Sequence, residues 1–68
     1  MNAQTGIVKW FNGSKGFGFI MPDSGGKDLF AHVNDVKTSE GTLTENQRVQ
    51  FDVVQGRKGP QASNIRSV

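Results

Sequence analysis

The sequence predicts an all-β fold, in which a single domain over residues 1–68 closes into a five-stranded antiparallel barrel. Five short segments rich in β-branched and aromatic residues alternate with glycine, proline and asparagine turn signals. No segment sustains the 3.6-residue apolar pattern of a helix. Strands that no helix covers favour a closed barrel, because closure removes the exposed sheet edges that promote aggregation.

The first two strands are predicted at residues 5–12 and 16–21. TGIVKWFN is β-branched and aromatic, and it ends at an asparagine–glycine turn signal. In KGFGFI, the two-residue side-chain period puts Phe17 and Phe19 on one face and the two glycines on the other. Each interior glycine costs about 0.5–1 kcal/mol relative to alanine, so the pair indicates tight curvature beneath exposed rings.

Three further strands are predicted at residues 28–33, 47–55 and 61–68. DLFAHV alternates, so that Phe30 and His32 share one face, and QRVQFDVVQ has the clearest half-buried pattern in the chain. The last strand closes the barrel.

Turns and loops separate these strands. A proline and two glycines end the second strand within residues 22–26, and residues 34–36 are predicted to form a short helical turn. Residues 38–46 are polar and form a long loop in which Leu43 turns inward, and residues 56–59 form a basic turn.

Nine apolar side chains are predicted to fill the barrel. They are Val8, Ile20, Leu29, Ala31, Val36, Val49, Phe51, Val53 and Ile65. Five rings are then left without an obvious buried place, namely Trp10, Phe17, Phe19, Phe30 and His32. A single aromatic side chain is more often buried than exposed. Two adjacent strands that each present a pair of rings favour an exposed aromatic face instead.

Charge is distributed unevenly along the chain, whose net charge is +2. Residues 1–22 and 55–68 contain basic residues and no acidic ones, whereas all six acidic residues lie between these segments. If folding brings the two ends together, they form a basic surface suited to phosphate groups. The alternative is that these charges only keep a small protein soluble.

Several classes of function are disfavoured by the composition. Without cysteine, neither disulfides nor cysteine zinc sites are expected. A single histidine, with no phosphate-binding loop and no histidine–carboxylate cluster, argues against an enzyme, a metal site, a cofactor or a small-molecule substrate. There is no apolar run approaching about eighteen residues and no leader pattern, so we expect a soluble cytoplasmic protein that does not bind membranes.

Four blocks of the sequence resemble those of bacterial cold-shock domain proteins: GIVKWFN (6–12), KGFGFI (15–20), DLFAHV (28–33) and GPQASNI (59–65). They follow the family's order and approximate spacing. The resemblance implies a Greek-key barrel of the oligonucleotide-binding (OB) type, whose aromatic face binds single-stranded RNA and DNA with low sequence specificity. It also implies an RNA chaperone that modulates transcription and translation in the stress response. A monomer is expected, with a strand-exchanged dimer as the alternative.

The resemblance also implies roles for individual residues at matching positions. Stacking positions are occupied by Trp10, Phe17, Phe19, Phe30 and His32, with Phe11 a weaker candidate that is partly core. Positions that line the path of the nucleic acid are occupied by Lys9, Lys15 and Lys58. Hydrogen bonds to base edges are assigned to Asn12, Asp28 and Gln61. For Asp28, an equal alternative is that it orients Lys9 or a turn, and for each lysine the alternative is plain solubility.

The chain departs from the family pattern at two places. Val33 stands where many members carry an aromatic residue, and residues 39–43, SEGTL, lack the glycine–phenylalanine pair of a longer loop. Two stacking contacts are therefore missing, which predicts weaker binding or a shorter site.

Two other protein classes compete with this interpretation. RNA-recognition motif domains share the beginning of KGFGFI, but Pro22 stands where their final aromatic belongs, and the chain has no room for their two helices. A protein-binding barrel would use the aromatic face as a partner patch. The flanking lysines favour nucleic acid.

Overall fold

The computed structural model describes residues 3–38, 41–56 and 59–68. Within them, the strands are β1 (Gln4–Asn12), β2 (Phe17–Pro22), β3 (Leu29–His32), β4 (Arg48–Gly56) and β5 (Gly59–Ser67). A short 3₁₀ helix, Val33–Asp35, follows β3. The predicted all-β class and five strands are confirmed, and each strand begins and ends within about two residues of its predicted bounds.

The strands close into a barrel in the order β1-β2-β3-β5-β4, in which β4 pairs back onto β1. The pairs β1–β2, β1–β4, β2–β3 and β4–β5 are antiparallel. The pair β3–β5 is parallel, with Phe30 opposite Gln61 and Ala31 opposite Ala62. Because β5 inserts between β3 and β4, residues distant in sequence meet beside the aromatic strands.

Eight of the nine side chains predicted for the core are buried. Ten described side chains are buried: Val8, Ile20, Leu29, Ala31, Val36, Leu43, Val49, Phe51, Ala62 and Ile65. The prediction for Val53 was wrong, since 39% of its surface is exposed. Phe51 is the last residue of β4 that pairs with β1, so Val53 lies where β4 has left the closed part of the barrel. Ala62 takes a core position that was not predicted.

A β-bulge in β1 determines which side chains face outward. The register with β2 shifts between Val8 and Trp10. In a regular strand these two residues would share a face. Because of the shift, Val8 is fully buried while Trp10 is 38% exposed.

Glycine is required at each of the two glycine positions of KGFGFI for a different structural reason. A Cβ atom at Gly18 would overlap the carbonyl oxygen of Trp10 and press on the backbone of Phe11, because β1 and β2 approach closely there. Gly16 has a φ of +81°, a left-handed conformation that side chains disfavour. Its carbonyl accepts a 2.8 Å hydrogen bond from the backbone N–H of Val33. Both glycines therefore hold the aromatic strand in place.

A polar cluster ties three elements together at the opposite end of the β1–β2 pair. Asp23 accepts hydrogen bonds from the Thr5 hydroxyl at 2.6 Å and from Nη2 of Arg48 at 2.8 Å. The Thr5 hydrogen bond, followed by the hydrogen bond and charge of Arg48, lowers the pKa of the Asp23 carboxyl. The cluster joins β1, β4 and the residue after β2.

Candidate nucleic-acid interface

Five rings from three neighbouring strands meet on one outer face of the barrel. They are Trp10 on β1, Phe17 and Phe19 on β2, and Phe30 and His32 on β3. We call these five side chains the ring cluster. Each is exposed or partly exposed, so the structure brings together the rings that the sequence left without a buried place.

Strand register explains why these rings are neighbours. Phe19 lies opposite Trp10 on one side and Phe30 on the other, while Phe17 lies opposite His32. Directly opposed residues have Cβ atoms about 4.5–5.5 Å apart, which is within reach of aromatic contacts. The bulge in β1 brings Trp10 into the same outer row.

The rings support one another at short range. The Trp10 centroid lies 5.6 Å from those of both Phe17 and Phe19, and the Phe30 centroid lies 5.9 Å from both. His32 extends the cluster at 6.3 Å from Phe30. Phe17 and Phe30 are stacked with 24° between their planes, whereas the other pairs are tilted or edge-on. These distances are typical of favourable aromatic pairs. The cluster is a preformed apolar surface.

A shallow groove of about 270 Å³ crosses the cluster. It is lined by Phe17, Phe19, Asp28, Phe30 and Pro60. Its volume lies just below the range of about 300–1,000 Å³ that is typical of small-molecule pockets. Because three ring side chains line the groove, a flat aromatic group can lie against them. Pro60 was not among the predicted site residues, although it lies in the GPQASNI block beside Gln61.

An ion pair borders this groove. Nζ of Lys9 lies 3.0 Å from Oδ2 of Asp28, and the two side chains remain 53% and 31% exposed. This contact is the one expected if Asp28 orients Lys9, and the hydrogen bond from Asp28 to a base edge stays a prediction. Exposed pairs of this kind contribute about 0–1 kcal/mol, so the pair can open at little cost.

The other two predicted lysines, and an arginine of the basic C-terminal segment, are placed unequally. Lys15 is exposed in the turn that leads into Phe17, next to the ring cluster. Lys58, and the centre of the predicted basic turn with it, lies outside the described residues. Arg66 lies opposite Gln50 on β4, and Gln50 in turn lies opposite Thr5. Arg66 is therefore on the side of the polar cluster rather than beside the rings.

His32 has a structural contact in addition to its place among the rings. Its Nδ1 accepts a 3.1 Å hydrogen bond from the backbone N–H of Asn34 and caps the 3₁₀ helix. Because Nδ1 is engaged by this bond, Nε2 is the ring nitrogen that the cap leaves unused. The cap therefore fixes the orientation of the ring within the cluster.

Asn12 and Phe11 also have structural contacts. Oδ1 of Asn12 accepts a 2.9 Å hydrogen bond from the backbone N–H of Lys15, which holds the turn between β1 and β2. The Phe11 side chain packs against the hydrophobic core, which agrees with the expectation that Phe11 is partly a core residue. Their contacts with bases stay predictions.

Gln61 lies beside the ring cluster, since it is in register with Phe30. Its Nε2 donates to Oδ2 of Asp35 at 3.2 Å, and the hydroxyl of Ser63 donates to Oδ1 of the same carboxylate at 3.3 Å. Asp35 was not predicted as a site residue. It lies 26 positions from Gln61 and meets it only through the parallel β3–β5 pair, so no local pattern announced the contact.

Metal and membrane sites were also sought in the described part of the chain. Residues 3–38, 41–56 and 59–68 contain no group of three or more histidine, cysteine, aspartate or glutamate side chains placed to hold a metal ion. Over the same residues, no helix has the length and apolar character needed to cross a bilayer.

Comparison with known proteins identifies the family. Residues 4–68 match the family model described as the 'Cold-shock' DNA-binding domain. The chain belongs to the cold-shock domain family. Its sequence is 54% identical over 65 residues to cold shock-like protein CspG of Escherichia coli K12, covering 94% of this chain and 93% of that protein. It is 62% identical over 63 residues to cold shock protein CspV of Vibrio cholerae, covering 90% and 89%.

The barrel also resembles a solved structure. It superimposes with a TM-score of 0.83 and 24% identity on the chain titled Drosophila Unr CSD456, covering 98% of this chain and 27% of that one. At this identity the match concerns the fold alone. The predicted family and OB barrel are confirmed, and the cold-shock domain family is a nucleic-acid-binding one.

Proposed function

We propose that this cold-shock domain binds single-stranded RNA and DNA with low sequence specificity through the ring cluster. The observation that carries the proposal is that five rings, linked by centroid distances of 5.6–6.3 Å, share one outer face. Stacking a base on an aromatic side chain contributes about 1–3 kcal/mol, and every base has a π-face. Several such contacts give affinity without sequence recognition.

Stacking on the rings confines binding to unpaired bases. Bases within a duplex are already stacked on one another and must be unpaired before they can reach the rings. A protein that binds only the open form shifts a weak RNA hairpin toward that form by mass action. We therefore propose a cytoplasmic, monomeric RNA chaperone that acts in stress, modulates transcription and translation, and has no catalytic activity.

Charge around the cluster supports nucleic acid over another partner. Lys9 borders the groove at Asp28, and Lys15 precedes Phe17. Lysines at these places neutralise phosphates while the rings hold the bases. We assign the same role to Lys58. A protein partner would also cover the exposed rings, but it has no general need for this basic border.

The test uses the fluorescence of Trp10, the single tryptophan of the chain. Adding a short single-stranded oligonucleotide should quench the emission, and the affinity should fall as salt concentration rises. A duplex of the same sequence is the matched control and should quench far less. If the single strand neither quenches Trp10 nor shifts the protein in a gel at low salt, nucleic-acid binding is refuted and the protein-binding alternative gains support.

A further inference from the structure

The outward-facing row of side chains on β2 continues beyond the ring cluster. Phe17, Phe19 and Met21 alternate along the strand with two buried residues, Gly18 and Ile20. Because successive side chains of a strand point to opposite faces, Met21 faces the same side as the two phenylalanines. It lies about 6.6 Å along the strand from Phe19, and 43% of its surface is exposed. The apolar row of β2 is therefore one residue longer than the ring cluster.

Met21 has an apolar neighbour on β1. It lies opposite Ile7, which sits between two buried residues of β1 and so also faces outward. We call Met21 and Ile7 the apolar pair. The surface becomes polar on its far side, because Arg48 lies opposite Ile7 on β4 and donates a hydrogen bond to Asp23. The apolar pair is thus the last apolar part of this face before the polar cluster.

The ion pair of Lys9 and Asp28 lies between the ring cluster and the apolar pair. Lys9 is at the bulge of β1 and Asp28 immediately precedes β3, so their contact spans β2, which lies between these two strands. In the register of the sheet this crossing falls beside Ile20, whose side chain is buried. The Lys9 side chain therefore crosses β2 between the outward-facing Phe19 and Met21.

This order of groups matches the repeat of a nucleic-acid strand. A single strand has a phosphate between each two bases, and here a cation lies between two apolar surfaces. The exposed pair of Lys9 and Asp28 opens at little cost, so the ammonium group can bind a phosphate instead. A methionine thioether makes favourable contacts with aromatic rings, and a nucleobase is such a ring. Isolated exposed apolar side chains are common on proteins, but Met21 continues a row of rings across a cation.

We propose that Met21, supported by Ile7, forms a further base subsite, with Lys9 bound to the phosphate between this base and the base stacked on Phe19. The inference rests on the proposed function. A thioether and methyl groups do not read the edges of a base, so the subsite accepts any base and adds length without sequence preference. It extends the face at the opposite end of β2 from Val33, where an aromatic residue is missing.

The test measures affinity as a function of oligonucleotide length. Oligothymidylates of about three to eight nucleotides are titrated against the wild-type protein, Met21→Ala and Met21→Leu. The shortest oligomers should bind all three proteins alike, because the rings offer the stronger stacking surfaces and are occupied first. Once an oligomer is long enough to pass Lys9, the wild-type protein should bind it about two- to tenfold more tightly than Met21→Ala does. Met21→Leu should keep most of this gain, because it keeps the apolar contact.

The matched control is Val53→Ala, which truncates an apolar side chain of similar exposure, 39%, on β4. It should bind like the wild-type protein at every length. Removing one base then separates the contact with Met21 from the contact with Lys9. The shortest oligomer that distinguishes the wild-type protein from Met21→Ala is remade with an abasic nucleotide at either end in turn. One of these two oligomers keeps the phosphate for Lys9 but lacks the base for Met21, and it should bind both proteins equally.

A measurement on the wild-type protein alone does not depend on the folding of a variant. The chain has two methionines, so methyl-labelled protein gives two methionine methyl signals, and Met21→Leu shows which belongs to Met21. The ring current of a base on the thioether should move the Met21 signal upfield. This shift should occur with the longer oligomers and not with the shortest.

The possible outcomes separate this inference from the proposed function. If the wild-type protein binds no oligomer of any length, the proposed function fails. If it binds them and Met21→Ala is weaker by the same factor at every length, or is not weaker at any length, nucleic-acid binding stands and the inference is wrong. A Met21 methyl signal that does not move when a long oligomer saturates the wild-type protein also overturns it.

Discussion

Removing the two phenylalanines at the centre of the ring cluster should nearly abolish binding. In Phe17→Ala/Phe19→Ala, two stacking surfaces are lost at about 1–3 kcal/mol each. Together they correspond to a loss of at least about 30-fold in affinity, since 1.4 kcal/mol is tenfold. Trp10 and Phe30 also lose two ring neighbours each, so the rings that remain are less well positioned.

The same change has a calculable effect on folding. Four ring contacts worth about 0.5–1.5 kcal/mol each are removed. A domain of this size has a total stability of roughly 3–10 kcal/mol. The ten core side chains are untouched, so we expect the barrel to remain folded at low temperature with a lower melting temperature. The Phe17→Leu/Phe19→Leu pair retains apolar contact without a π-face.

The assay is titration of a labelled single-stranded oligonucleotide, followed by anisotropy, with thermal unfolding of each variant measured in the same buffer. Val53→Ala is the matched control, because it truncates an exposed apolar side chain that is not part of the ring cluster. It should bind like the wild-type protein. If the alanine and leucine pairs are folded and bind within about threefold of the wild type, the rings do not carry the affinity.

Three further predictions concern single sites. Val33→Phe adds a ring beside His32, the neighbouring member of the cluster, and should tighten binding to a thymine-rich oligonucleotide about fivefold or more; unchanged affinity with an intact fold would count against it. Asp28→Asn releases Lys9 for phosphate and should raise affinity and steepen its salt dependence, whereas a loss of affinity would show that Asp28 contacts the ligand. Asp23 has a lowered pKa, so its stabilising effect is present above its unfolded pKa of about 3.9 and is lost as pH falls through the folded pKa. Asp23→Asn should therefore have a lower melting temperature than the wild type at pH 7 and the same melting temperature at about pH 2. A difference in melting temperature that persists in acid would contradict this.

Hydrophobic periodicity and turn chemistry predicted most of this fold. Local patterns predicted the strand bounds and eight of the nine core positions. They also predicted that Leu43 turns inward from the long loop. The prediction that Val53 is buried was wrong, because apolar alternation shows which face a residue lies on but does not show where a strand leaves the barrel. The pattern of apolar and polar residues in the sequence does not reveal the bulge between Val8 and Trp10, although this bulge makes Trp10 face outward.

The candidate site was predicted less completely than the fold. The rings were identified because too many aromatic side chains remained for a small core. The polar contacts depend on long-range register instead. Asp35 meets Gln61 only because β5 pairs in parallel with β3, and Lys9 meets Asp28 across 19 positions. Such contacts between distant segments cannot be read from the spacing of residues in a sequence.

The most direct test of the central claim is to map a single-stranded oligonucleotide onto the barrel by the chemical shifts of backbone amides. We expect the largest changes at Phe17, Phe19 and Phe30, with small changes at Thr5 and Arg48 in the polar cluster at the other end of the β1–β2 pair. Changes concentrated at Thr5 and Arg48, with the ring-bearing strands unaffected, would contradict the assignment of the ring cluster as the binding surface.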